Sequence, residues 1–146
     1  MKSRTFTEGE LRTIVAVFDA GDEILEGLAS LARDESLAAA SLTAIGAVSA
    51  ATLGWYDLDA QEYREIPVRE QAEVLSLVGD VVRGPDGGPA VHCHGVLGLP
   101  DGSTRGGHLL HGTVRPTLEV VLTESPAQLH KTFRPEFGLA LIDLDA

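Results

Sequence analysis

His92, Cys93 and His94 stand in a row, and beyond a Pro100-Asp101-Gly102 turn the chain carries Gly106, Gly107 and His108. Side chains on a β-strand alternate between faces, so His92 and His94 project together while Cys93 points to the other side. The stretch from Leu99 to Ser103 fits a three-residue hairpin loop. Proline presets its first turn position and glycine supplies the left-handed residue of a type I turn with a bulge. Leu99 then faces Ser103, and counting back along both strands sets His94 opposite His108, with His92 one step further on the same face. A two-residue loop would shift the register and turn His92 toward His111, and Gly106-Gly107 could bulge the ladder. His111 is therefore the alternate ligand.

Three neutral imidazoles on one face suit zinc, iron, nickel or copper. A divalent metal is the expected cofactor, with zinc as the expected ion. Three protein ligands leave a coordination position for water or a small anion, as in catalytic rather than closed structural zinc sites, and a bound water would be acidified toward neutrality. No general base announces itself nearby in sequence. Neither a His-Glu-x-x-His helix nor a Cys-x-x-Cys pair is present. Cys93, on the opposite face, reads as a small buried hydrophobe. Arg105 is a candidate to reach an anion on the metal, and Glu73 a candidate to hold an imidazole or act as a base. The plainer reading of both is a solvated strand position. Trp55 and Tyr56 read as packing of a core or subunit interface, and His130, Lys131 and Arg134 as a solvated face of a C-terminal loop.

The elements that must position these residues follow from apolar periodicity. Strand-like runs fall at residues 12–18, 61–68, 73–82, 117–123 and 139–143. A helix begins after Asp22, as its cap, and runs to about Glu35, with Ile24, Leu25, Leu28, Leu31 and Ala32 at helical spacing. Residues 41–56 read as a strand, a glycine bend and a second strand carrying Trp55 and Tyr56. Residues 84–89 form a loop and 125–131 a short loop or helix. One main N-terminal helix, short additional helices and many hairpin-spaced strands imply an α+β fold with a largely antiparallel sheet.

Length and composition bound the rest. At 146 residues, with 44% hydrophobic and 23% charged residues, the chain reads as a single domain spanning residues 1–146 with a proper core. One cysteine excludes an internal disulfide and fits a reducing cytoplasm, the expected location. No apolar leader and no membrane-length run is seen, so no membrane partner is expected. A formal net charge of −11 repels phosphate backbones and disfavours direct DNA binding.

Several segments together resemble the plant and prokaryote conserved (PPC) domain, which accompanies AT-hook motifs in plants and often stands alone in prokaryotes. They are Gly21-Asp22-Glu23-Ile24-Leu25-Glu26-Gly27-Leu28, Ala44-Ile45-Gly46-Ala47-Val48, Glu73-Val74-Leu75-Ser76-Leu77-Val78-Gly79, His92-Cys93-His94 and Gly106-Gly107-His108-Leu109. The resemblance implies an antiparallel sheet with few helices, assembly as a homotrimer, and His92, His94 and His108 as metal ligands. An AT-hook core is missing: Arg115-Pro116 and Arg134-Pro135 lack the preceding glycine. Three functions are then in play. The leading one is a homotrimeric metal-binding protein with a three-histidine site open to a small molecule or anion, in a sensing or regulatory role. The others are a metal-dependent hydrolase or lyase and a DNA-associated transcriptional regulator.

Overall fold

Alternating apolar residues build strands along most of the chain, and the computed structural model describes residues 1–9, 11–125 and 129–145. In order these are β1 (Lys2–Glu8), β2 (Leu11–Asp19), α1 (Ile24–Asp34), β3 (Ala39–Asp57), β4 (Glu62–Val68), β5 (Ala72–Arg83), β6 (Pro89–Gly98), β7 (Thr104–Glu124), β8 (His130–Arg134) and β9 (Leu139–Asp143). The strands join one sheet, antiparallel except for a single parallel bridge between β5 and β8 at Arg83 and His130. β3 pairs with β5 and β7, and β6 pairs with the same two strands. The hydrogen-bonded path β3–β5–β6–β7 therefore closes on itself, leaving these strands little room to slip in register.

The face inside that path is apolar. Leu53, Leu77, Cys93, Leu97, Leu109 and Leu118 are buried there, and α1 adds Ile24, Leu28, Leu31 and Ala32 to the same core. The helix cap is Glu23 rather than Asp22. One Glu23 carboxylate oxygen accepts from the Glu26 N–H at 2.7 Å, while Asp22 accepts from the Asp19 N–H and pairs with the N-terminal amine. The outer face also carries apolar side chains, and Ile45, Leu75, Val78, Val96 and Val121 are exposed on it.

Several sequence expectations change. In place of one main helix with short additional ones, the described residues hold a single short helix, because β-pairing rather than helix packing fills most of the chain. Residues 41–56 lie in one continuous strand whose register slips between Ala44 and Gly46 instead of breaking. Residues 117–123 belong to a 21-residue strand that starts at Thr104. β1 and β8 have no counterpart in the sequence reading. Of the expected loop or helix at 125–131, residues 126–128 lie outside the described residues, and Lys131 lies in β8.

Arg12 ties the helix end to the sheet. Its guanidinium bonds both carboxylate oxygens of Glu124 at 2.6 and 3.0 Å, and also Glu35 at the end of α1. The hydrogen bond from Arg12 holds the Glu124 carboxyl below its ordinary range. A depressed folded value stabilises the fold above the unfolded value, about 4.3, and that contribution is lost as pH falls through the folded value. We expect Glu124→Gln to cost roughly 1 kcal/mol at pH 7 and less at pH 3, read by denaturant unfolding at both pH values.

Candidate metal centre

The loop between β6 and β7 decides which side chains meet. The Leu99 N–H donates to the Ser103 carbonyl at 2.8 Å and the Gly102 N–H to the Leu99 carbonyl at 2.9 Å. Gly102 takes φ +82°, the left-handed conformation that this turn needs. The Asp101 carboxylate accepts from the Ser103 N–H at 2.9 Å and closes the loop. The three-residue loop is thus the one that forms. The ladder then runs from Gly98 opposite Thr104 to His94 opposite His108, and on the other side β6 sets His92 against Asp80 and His94 against Val78.

His92, His94 and His108 converge as their register requires, with one ligand atom from each lying within 4.8 Å of the others. The Nε2 atoms of His92 and His94 are 3.1 Å apart, near the edge of a tetrahedron built on zinc–nitrogen bonds, about 3.3 Å. Burial pushes His108 down to about 4, helped by the charge the other two rings would carry and by Lys131. Burial, then His92, also lowers His94. Both rings are therefore neutral at pH 7, the state that ligates metals. The Nδ1 atom of His108 is buried and has no hydrogen-bond partner. Such an orphaned atom costs stability unless something engages the ring. The donor set and this unmet polar atom fit a divalent transition metal.

Around the triad lies a supporting layer. Asp80 Oδ2 lies 3.4 Å from His92 Nδ1, and Lys131 Nζ is 2.9 Å from Asp80 Oδ1. Burial pushes the Asp80 carboxyl up, but His92 and Lys131 outweigh it and hold it below its ordinary range. A carboxylate on the outer nitrogen of a histidine fixes the ring's tautomer and orientation. The Tyr63 ring lies against His108, centroids 4.9 Å apart. The histidines open into a cavity of about 740 Å³, whose other walls include Trp55, Tyr56, Val91, Lys131 and β9.

The remaining sequence candidates lie elsewhere. Glu73 is exposed at the opposite end of β5 from Asp80, paired with Gly98, and does not line the cavity. Arg105 is also outside the cavity; it pairs with Leu97, and its guanidinium bonds the Thr104 carbonyl. His111 is held away because its Nδ1 sits 3.1 Å from Glu23 Oε1, the oxygen that also accepts from the Gly112 N–H. Cys93 is buried, and burial pushes its thiol up to about 12, so it is an inert core residue. Trp55 and Tyr56 line the cavity rather than a core. Lys131 is buried on Asp80, not solvated. Asp80 had a sequence signal, an acid inside the apolar run Leu77-Val78-Gly79-Asp80-Val81-Val82. Lys131 and Tyr63 had none, because only the tertiary fold brings them near.

Residues 6–126 match the Plants and Prokaryotes Conserved (PCC) domain. The chain is 30% identical to a plant- and prokaryote-conserved protein from Pyrococcus horikoshii, with a TM-score of 0.85 over 94% of this chain and 97% of that one. It is 32% identical to a metal-containing protein from Archaeoglobus fulgidus, with a TM-score of 0.82 over 89% of this chain and 91% of that one. It is likewise 32% identical to a candidate DNA-binding protein from Ralstonia eutropha JMP134, with a TM-score of 0.82 over 90% of each chain. No curated protein matches the chain.

Close backbone approach holds Asp80 and His92 together. A methyl group at Gly79 would run into the His92 carbonyl and lie 2.9 Å from the Cys93 Cα. Backbone atoms cannot rotate away, so Gly79→Ala should cost roughly 1–3 kcal/mol. A lower denaturant midpoint with an unchanged m-value would report it.

Proposed function

The chain belongs to the Plants and Prokaryotes Conserved domain family, and from that premise we propose that it is a metal-binding protein. In this reading His92, His94 and His108 hold one divalent ion, zinc as expected, with a coordination position open to a small ligand. The observation that carries the reading is the meeting of three ring nitrogens within 4.8 Å at the mouth of a cavity. The metal-containing Archaeoglobus protein supports it. An ion held there supplies a divalent positive charge and Lewis acidity. The chain's own residues do the rest. Asp80 orients His92, burial keeps His94 and His108 neutral, and Tyr63 shields His108 from water.

The proposed role is ligand sensing or regulation. Among the described residues lining the cavity, Asp80 is the one carboxylate, and His92 and Lys131 already engage it. No free base therefore stands beside the open position. The Ralstonia protein's name points to DNA, but a net charge of −11 works against phosphate contact by this chain. A cytoplasmic setting is proposed with the metal role, in keeping with the free thiol of Cys93. No helix among the described residues is long and apolar enough to cross a membrane.

Assembly as a homotrimer belongs to the same proposal. Ile45, Leu75, Val78, Val96 and Val121 leave an apolar outer sheet face exposed, and such a face is normally covered by a partner. Three copies of the chain by light scattering at micromolar concentration are expected, and Ile45→Asp combined with Val78→Lys should reduce the mass toward one copy. A native chain that runs as a monomer removes the trimer.

Elemental analysis of protein purified without a histidine tag tests the metal site. About one metal per chain is expected, lost in His92→Ala and in His108→Ala. Asp80→Asn should keep the metal but weaken its retention against a chelator by roughly 10–100-fold. Negligible metal in the native chain, with a thermal midpoint that added zinc, nickel, manganese or iron does not shift, overturns the reading.

A further inference from the structure

The segment beyond the family match at residues 6–126 builds one wall of the histidine cavity. β8 and β9 form a hairpin that is fastened on both sides of the opening. On the β5 side, the Arg83 N–H donates to the Leu129 carbonyl, and Lys131 pairs with Asp80. On the β3–β4 side, the Tyr56 hydroxyl donates to the Phe137 carbonyl at 2.8 Å, and the Gln61 amide to the carbonyls of Pro135 and Glu136. Between these anchors Leu139, Ala140, Leu141 and Ile142 of β9 line the cavity, with Trp55 and Val91 completing the apolar surface.

Charge and shape together narrow what fits. Lys131 lies 2.9 Å from Asp80 and cancels its charge, and no other carboxylate is among the described residues that line the cavity. A divalent ion on the triad would leave its charge unmatched by the described cavity residues, so an anionic group is the favoured companion in so apolar a space. About 740 Å³ is far more than a bare inorganic anion fills, and lies in the range of organic ligand sites. We propose that the site takes a small organic carboxylate, its anionic head at the histidine centre and its hydrocarbon body against Trp55, Leu141 and Ile142. The C-terminal hairpin sets this specificity, and Lys131 secures it by neutralising Asp80. The proposal rests on the metal reading above.

Calorimetric titration of metal-loaded protein with acetate, butyrate, hexanoate and hexanol tests it, with metal content measured on the same samples. Hexanoate is expected to bind once per chain, with a gain of about fourfold per added methylene, and hexanol at least tenfold more weakly. Lys131→Met, which leaves Asp80 unneutralised, should weaken hexanoate by roughly tenfold or more without changing metal content, while Lys131→Arg retains binding. Leu141→Ala keeps the Lys131–Asp80 ion pair intact and should shrink the chain-length gain. Metal at one per chain with no hexanoate binding, or equal affinity for hexanoate and hexanol, overturns this inference and leaves the metal reading standing. Absence of metal from the native chain removes both. A Leu141→Ala chain that keeps the full chain-length gain overturns the role given to the hairpin.

Discussion

The candidate site depends on the register of one hairpin. Because a strand alternates faces, a shift of one residue between β6 and β7 would send His108 into the core and disperse the triad. The loop from Leu99 to Ser103 prevents that slip through two backbone hydrogen bonds, the Asp101 side chain and the left-handed Gly102. The closed path of β3, β5, β6 and β7 reinforces it, since a slip at one pairing would have to propagate through all four. Register on the β5 side does the second part of the work, placing Asp80 opposite His92.

The same alternation divides the labour between faces. Cys93, Leu97 and Leu77 point inward and supply cohesion, so the outward positions are free to carry chemistry. Desolvation then serves the site: partly buried imidazoles resist protonation, and their mutual repulsion adds to that resistance. The cost appears as the unpartnered Nδ1 of His108. Lys131 and Asp80 show the complementary arrangement, a buried ammonium that tolerates burial because the half-buried carboxylate beside it neutralises its charge.

The cavity wall comes from a distant part of the chain. Tyr56 and Gln61 near the β3–β4 turn, Asp80 and Arg83 in β5, and the β8–β9 hairpin are separated by tens of residues, yet they meet around one opening. The family match at residues 6–126 covers the histidine centre, whereas Lys131 and β9 in this wall lie beyond it.

Local chemistry in the sequence was enough to determine the histidine face, the turn that sets its register, the apolar face of α1 and the antiparallel character of the sheet. Each rests on spacing or turn residues a few positions apart, where strand and helix periodicity act directly. The inward position of Cys93 followed from the same alternation. Only the tertiary structure decided that Asp80 rather than Glu73 stands at the imidazole, since the choice depends on how β5 pairs with β6. It also decided that His111 is engaged by the helix cap at Glu23 and that Lys131 is buried. Those outcomes are set by contacts between residues far apart in the chain, and the free energy of such contacts leaves no periodic trace in the sequence around either partner.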